Sequence, residues 1–155
     1  MLKMSRKNQH KKHQLELQGL VKEKLRVKRQ KEHYPEINIL TDKLPEELIQ
    51  SLHKTCDCYV GISHGEGWSI PAFEAMCYGN TPICTQEGGP MDFIDKNNRN
   101  TGHLVSSSYS VCDHQNPAFN TIFTGNDYWM SPDELETKRA MRWYYENRNS
   151  VDRTE

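Results

Sequence analysis

Two carboxylates, Glu66 and Glu74, stand with seven residues between them in the stretch S-H-G-E-G-W-S-I-P-A-F-E, which runs from Ser63 to Glu74. A carboxylate has two acceptor oxygens and can take hydrogen bonds from both hydroxyls of a vicinal diol, as in a ribose or a hexose. Gly65 and Gly67 flank the first carboxylate and let the backbone approach a ligand, with amides pointing at it. From Ile70 onward the chain reads as a helix, whose amino end carries partial positive charge and suits a phosphate. One Glu for each of two sugars, with amides between them for a diphosphate, would hold a nucleotide-sugar. Spacing alone leaves a second reading open, with Glu66 a solvated loop charge and Glu74 an ordinary residue of a helix surface. The stretch is neither the G-x-G-x-x-G dinucleotide fingerprint nor a Walker loop.

The flanking sequence supplies the elements that would position these residues. Ile37–Leu40, Cys58–Ile62, Thr81–Thr85 and His103–Val105 read as short strands. Pro45-Glu46-Glu47 opens a helix with Leu48, Ile49 and Leu52 on its inward side, proline taking the first position. The helix from about Ile70 to Tyr78 stops at Gly79, which accepts a left-handed cap. Gly88-Gly89-Pro90 makes a turn, and Met91–Ile94 a single helical turn. Strands alternating with helices imply parallel pairing, hence an α/β class with a Rossmann-like parallel sheet flanked by helices. Ligands of such sheets bind beyond the carboxyl ends of the strands, where the turn Ser63–Ser69 falls. Residues 106–128 carry no regular pattern and are expected as a loop. Ser131-Pro132-Asp133-Glu134 predicts a capping box opening the last helix. The expected organisation is a basic helical segment at 1–33, a Rossmann-like core at 34–130, and a C-terminal helix at 131–155.

Bulk composition narrows the class. The chain has 155 residues, 35% of them hydrophobic, and a net charge of −1, which fits one domain with a modest core. It holds no apolar run of bilayer length, and M-L-K-M-S-R-K lacks the apolar core of a signal peptide, so a cytoplasmic location is expected. The five cysteines show no C-x-x-C pairing and are read mostly as small buried hydrophobes in a reducing compartment, without metal or disulfide. Residues 1–33 are dense in Lys and Arg, opposed by Glu16, Glu23 and Glu32. Leu17, Val21 and Leu25 give them one apolar stripe, and no aromatics interleave, which favours a solvated helix face over a nucleic-acid patch.

Glu66-Gly67-Trp68-Ser69-Ile70-Pro71-Ala72-Phe73-Glu74, with Ala75-Met76, Gly79 and Gly88-Gly89, resembles the retaining glycosyltransferases of family four, of GT-B fold. The match runs from about Ile37 to Val105, and Trp129–Asp133 is similar to a segment such proteins carry near their end. The resemblance implies that Glu66 sits beside the donor sugar, binds its hydroxyls and stabilises a cationic transition state, as the catalytic residue. Gly65, Gly67, Trp68 and Ser69 would meet sugar and phosphate, the last three through backbone amides. Glu74 would hold the ribose hydroxyls, and main-chain groups of Leu40 and Thr41 the base. Transfer in this family is metal-independent, so neither a bound metal nor a cofactor is expected, only a nucleotide-diphosphate sugar as donor.

Ser69 stands where the family usually has glycine, and Asp92 where it usually has Glu. The family's N-terminal acceptor domain and its Arg-Lys pair after the first strand are not matched. The chain is therefore expected to be most of a donor-binding half, moving a hexose with retention to an acceptor the sequence does not name, in company with an N-terminal domain or partner chain. The alternatives are a non-catalytic nucleotide-sugar module or fragment and, from another class, a basic nucleic-acid-binding protein. His64 is expected to orient the turn rather than act as a base, and His103 to be structural. Trp68 either covers the sugar or packs beneath the turn. Tyr59, Phe73 and Phe93 are expected in the core, and Trp143, Tyr144 and Tyr145 are candidates to dock the partner domain.

Overall fold

Thr81–Thr85, a short run between Asn80 and Gln86, is buried at every position. It is the central strand of a three-stranded parallel sheet. The structure, a computed structural model, describes residues 15–24, 26, 37–40, 43–112 and 126–152. The chain divides into two compact units, Met1–Leu44 and Pro45–Glu155.

In the first unit residues 15–24 form helix α1, and Leu17 and Leu20 are exposed. The strand expected at Ile37–Leu40 is absent. These residues are irregular, with Ile37 and Leu40 49% and 60% exposed. Apolar composition alone does not make a strand, since the extended backbone needs a neighbouring ladder to satisfy its amides and carbonyls.

The second unit runs α2 (Glu46–Thr55), β1 (Cys58–Gly61), α3 (Ile70–Cys77), β2 (Thr81–Thr85), α4 (Pro90–Phe93), β3 (His103–Val105), β4 (Ser107–Val111), β5 (Tyr128–Pro132) and α5 (Glu134–Glu146). Strand order is β1-β2-β3, all parallel, with Gly61 opposite Cys84 and Cys84 opposite Leu104. This is the Rossmann-like arrangement of a parallel sheet flanked by helices. Alternation along the strands divides the core in two. Ile83 and Val105 pack with Ala140 and Tyr144 of α5, and Cys58 joins them. On the other face Cys84 packs with Ala72 of α3 and with Ile94, joined by Tyr59, Phe93 and Leu104. Only Cys84 and Cys112 of the five free cysteines are buried, and Cys56 and Cys77 are exposed. Phe73 also departs from expectation, being 39% exposed on the outer side of α3.

Two differences from the sequence reading concern the C-terminal third. Part of the stretch read as a loop is strand β4, antiparallel to β5 with Ser108 opposite Ser131 and Ser110 opposite Trp129. Ser-Ser-Tyr-Ser-Val is too polar to advertise a strand, and its partner lies some twenty positions away in sequence. Residues 113–125 lie outside the described residues. The expected capping box is displaced too. Ser131 and Pro132 belong to β5, and Asp133 is the N-cap of α5, its carboxylate accepting from the Glu136 amide at 2.7 Å. Asp133 and Glu136 have the same spacing as the expected pair, so the signature was shifted by the strand that claims Ser131.

Glu136 then clasps α5 to the sheet. Its Oε2 accepts from the Ser106 amide at 2.9 Å and from the Ser106 hydroxyl, and its Oε1 bonds His103 Nε2 at 3.0 Å. Tyr144, 2% exposed, donates its hydroxyl to the Arg99 carbonyl at 2.8 Å. It is therefore core rather than a docking residue, because its ring fills the space over Ile83 and Val105. Desolvation would raise the Glu136 carboxyl, but the Ser106 hydrogen bonds and His103 outweigh it and hold the group below the usual Glu value. A carboxyl depressed in the fold contributes stability that is present above the unfolded pKa and lost as pH falls through the folded one. Glu136→Gln is accordingly expected to flatten the acid limb of a urea-midpoint against pH curve, with its difference from the parent vanishing at low pH. Asp133→Ala should cost about 1 kcal/mol in the same urea titrations at neutral pH.

Candidate functional site

The turn that follows β1 is built by backbone contacts with the turn that follows β2. The Gly89 amide donates to the Gly67 carbonyl at 2.9 Å. A Cβ on Gly88 would lie 2.0 Å from the Glu66 carbonyl oxygen, and one on Gly89 would lie 2.5 Å from the Trp68 Cα. Gly88 also has φ +62°, which L side chains rarely adopt. Both glycines are therefore fixed by the closeness of the Glu66-Gly67-Trp68 backbone. Thr85, at the end of β2, donates its hydroxyl to the Ser63 carbonyl at 2.7 Å and ties down the start of the same turn.

Gly65 and Gly67 face the opposite situation. A Cβ on either would meet nothing within 4 Å, so open space lies over both. The turn is thus held against the protein by Gly88 and Gly89 and is bare over Gly65 and Gly67, where a ligand would approach. Ser69 is the N-cap of α3, buried, and left-handed at φ 62° and ψ 61°. A residue in this region other than glycine carries a cost of about 1 kcal/mol. The backbone at Ser69 keeps a conformation that glycine would adopt without that cost. The Ser69 carbonyl accepts from the Ala72 and Phe73 amides at 3.0 and 3.1 Å. Pro71, inside the first turn, spares one further amide.

Glu66 is exposed at the tip of the turn, and Glu74 is half-buried in the second turn of α3. The Glu66 charge is felt within the sheet. Burial first, and then the Glu66 and Cys58 charges, push the Cys84 thiol up to about 12, so it stays protonated and serves as packing. Trp68 is 45% exposed and stands in a cluster with Phe73 and Phe93, ring centroids 5.4 to 5.7 Å apart. Its indole both packs beside the turn and keeps nearly half its surface open. Leu40 lies in the first compact unit and is exposed, and Thr41 lies outside the described residues. The structure thus brings Gly65, Glu66, Gly67, Trp68 and Ser69 into one turn and sets Glu74 on the helix it opens. A groove of about 440 Å³ in the second unit lies elsewhere, between Gln86, residues 91–97 and Leu104.

His64 was expected to orient the turn, and the structure adds the partner that sequence reasoning missed. Its Nδ1 bonds the Met130 carbonyl at 2.8 Å, while the Met130 amide donates to the His64 carbonyl at 3.1 Å. Since a carbonyl only accepts, Nδ1 carries the proton. The imidazole also stacks on Trp129, centroids 4.0 Å apart and planes within 6°. The β4-β5 ribbon is thereby fastened to the glycine turn. The quoted Trp129-Met130 segment was the available signal, but its pairing with His64 needed the ribbon that the sequence did not show.

A three-stranded parallel sheet flanked by helices, with a glycine turn beyond the end of its first strand, is a Rossmann-like domain. A family model described as Glycosyl transferases group 1 matches residues 1–126 of this chain, which therefore belongs to that family. A search of the curated proteins found no match.

Gly88→Ala is expected to destabilise the protein by about 2 kcal/mol or more, because both the positive φ and the Glu66 carbonyl oppose a methyl group. Ser69→Gly should change stability by less than about 1 kcal/mol, relief of the left-handed strain being offset by a freer unfolded chain. Urea unfolding of both variants checks the contrast. A double-mutant cycle of His64→Ala and Trp129→Ala should give a coupling of about 1 kcal/mol, and additive losses would mean that the stack holds nothing.

Proposed function

We propose that this chain is the donor-binding half of a GT-B glycosyltransferase that moves a hexose from a nucleotide diphosphate with retention. The observation that carries the reading is the open face over Gly65 and Gly67 at the amino end of α3, flanked by Glu66 and Glu74. In this reading the backbone amides of Gly67, Trp68 and Ser69 meet the sugar and the diphosphate. Glu66 accepts hydrogen bonds from the donor-sugar hydroxyls, and its charge stabilises the positive charge that grows at the anomeric carbon as the bond to phosphate lengthens. Glu74 takes the two ribose hydroxyls on its two oxygens. Trp68, with its exposed face, covers the sugar, and an N-terminal domain or partner chain brings the acceptor. Neither a metal nor a further cofactor has a role in the reading, and the nucleotide-sugar is the one small-molecule partner it requires.

Calorimetric titration of the chain with uridine, guanosine and adenosine diphosphate sugars tests it. Glu74→Ala should weaken both the nucleotide diphosphate and its sugar by about tenfold or more, the loss expected for hydrogen bonds to a charged group. Glu66→Ala should weaken the sugar nucleotide and leave the plain nucleotide diphosphate unchanged, because only the sugar faces that side chain. No heat with any donor, from a chain whose circular dichroism shows it folded, would sink the donor-site reading.

A further inference from the structure

A pocket of about 250 Å³ lies beside β3, the outer strand of the sheet away from β1. It is lined by Arg99, His103, Glu136, Arg139, Ala140 and Trp143. The glycine turn leaves β1, so about 10 Å of sheet, two strand spacings, separates the two places. Glu136, Arg139, Ala140 and Trp143 follow one another at helical spacing and form a single stripe of α5.

The charges in this pocket are unequally satisfied. Both oxygens of Glu136 are taken, one by the amide and hydroxyl of Ser106 and the other by His103. Neither Arg99 nor Arg139 has a carboxylate within ion-pair distance among the described residues, although Arg142 and Lys138 on the same helix each have one. Arg99 is instead laid over the Trp143 ring, guanidinium carbon 4.5 Å from the centroid. A guanidinium held over a ring by its charge can still offer N–H donors to another group. The backbone of Arg99 is fixed by the Tyr144 hydroxyl on its carbonyl. Two guanidinium groups with no carboxylate partner among the described residues thus border one small cavity, on a helix and a loop that the core holds in place.

We propose that this pocket binds a phosphate group, either inorganic phosphate or the phosphate of a small ester. The two guanidinium charges exceed the single Glu136 carboxylate, whose oxygens are already hydrogen-bonded, and the oxygens of a phosphate can spread over both forks, whereas a carboxylate would satisfy only one. His103, already donating to or sharing a proton with Glu136, completes the polar wall. An ester would extend along the exposed side of Trp143. The site is independent of the donor reading and uses none of its residues.

Inorganic phosphate titrated into the full chain at constant ionic strength, with chloride as the balancing anion, tests the pocket by the side-chain Nε–H signals of its arginines in nuclear magnetic resonance. Saturable shifts are expected at Arg99 and Arg139. Arg139→Gln should weaken the binding about tenfold or more, Arg139→Lys should recover part of it, and Arg142→Gln should leave it as in the parent. Phosphate bound at the glycine turn would instead move the Gly65 and Gly67 amides and ignore Arg139→Gln. A hexose phosphate that binds more tightly than inorganic phosphate would identify an ester as the occupant, and equal affinity would identify free phosphate. Shifts that do not saturate, that chloride reproduces, or that persist unchanged in Arg139→Gln overturn the proposal.

Discussion

Everything at the candidate site depends on one backbone-to-backbone contact, the meeting of the turn after β1 with the turn after β2. The Gly89 amide bonds the Gly67 carbonyl at 2.9 Å, and no Cβ fits at Gly88 or Gly89 without striking the Glu66–Trp68 backbone. Parallel pairing of β1 and β2 brings the two turns to the same end of the sheet, since Gly61 stands opposite Cys84. Once they touch, the Gly67 carbonyl is committed inward and the outer face of the turn is left bare. Glycine is needed on both sides of this arrangement for different reasons. At Gly88 and Gly89 it allows close packing, and at Gly65 and Gly67 it leaves open space over the turn.

The β4-β5 ribbon extends this constraint toward the C-terminus. Its middle is joined to the glycine turn through Met130 and His64, and the stacked Trp129 adds a flat contact. One end meets the start of α5, where the Asp133 amide donates to the Ser106 carbonyl at 2.8 Å and Glu136 grips Ser106. The candidate site is therefore braced from both sides, by the sheet through Thr85 and by the ribbon through His64. A continuous path of hydrogen bonds therefore runs from α5 toward the start of the glycine turn.

Much of the second unit could be read directly. Thr81–Thr85 and His103–Val105 fall where their composition placed them, and α3 ends at Cys77 with Tyr78 as its cap and Gly79 left-handed at φ 78°. These elements carry local signals, namely apolar runs, a proline in the first turn and a glycine past the last. Ile37–Leu40 carries a similar apolar run and is not a strand, because a ladder is a property of two segments and only one was in view. Ser107–Val111 shows the reverse case, a polar segment made into a strand by Tyr128–Pro132. Ser131-Pro132 likewise had the right chemistry for a helix start, but pairing with Ser107 and Ser108 kept it extended and passed the cap to Asp133.

The sequence by itself determined the class of the domain, the position of its glycine turn, and the placing of Glu66 in that turn and of Glu74 on the helix after it. Those follow from residue type and short-range spacing, which act through local backbone preference and helix-end electrostatics. The tertiary structure alone decided which way the turn faces, what holds it, and which aromatic residues are core. Tyr144 went inward because a cavity over Ile83 and Val105 accepts its ring and the Arg99 carbonyl accepts its hydroxyl, while the adjacent Tyr145 stayed 60% exposed. Two neighbouring tyrosines are indistinguishable in composition. Helix rotation of about 100° per residue places one on the sheet and the other in solvent, and only the packed sheet fixes which.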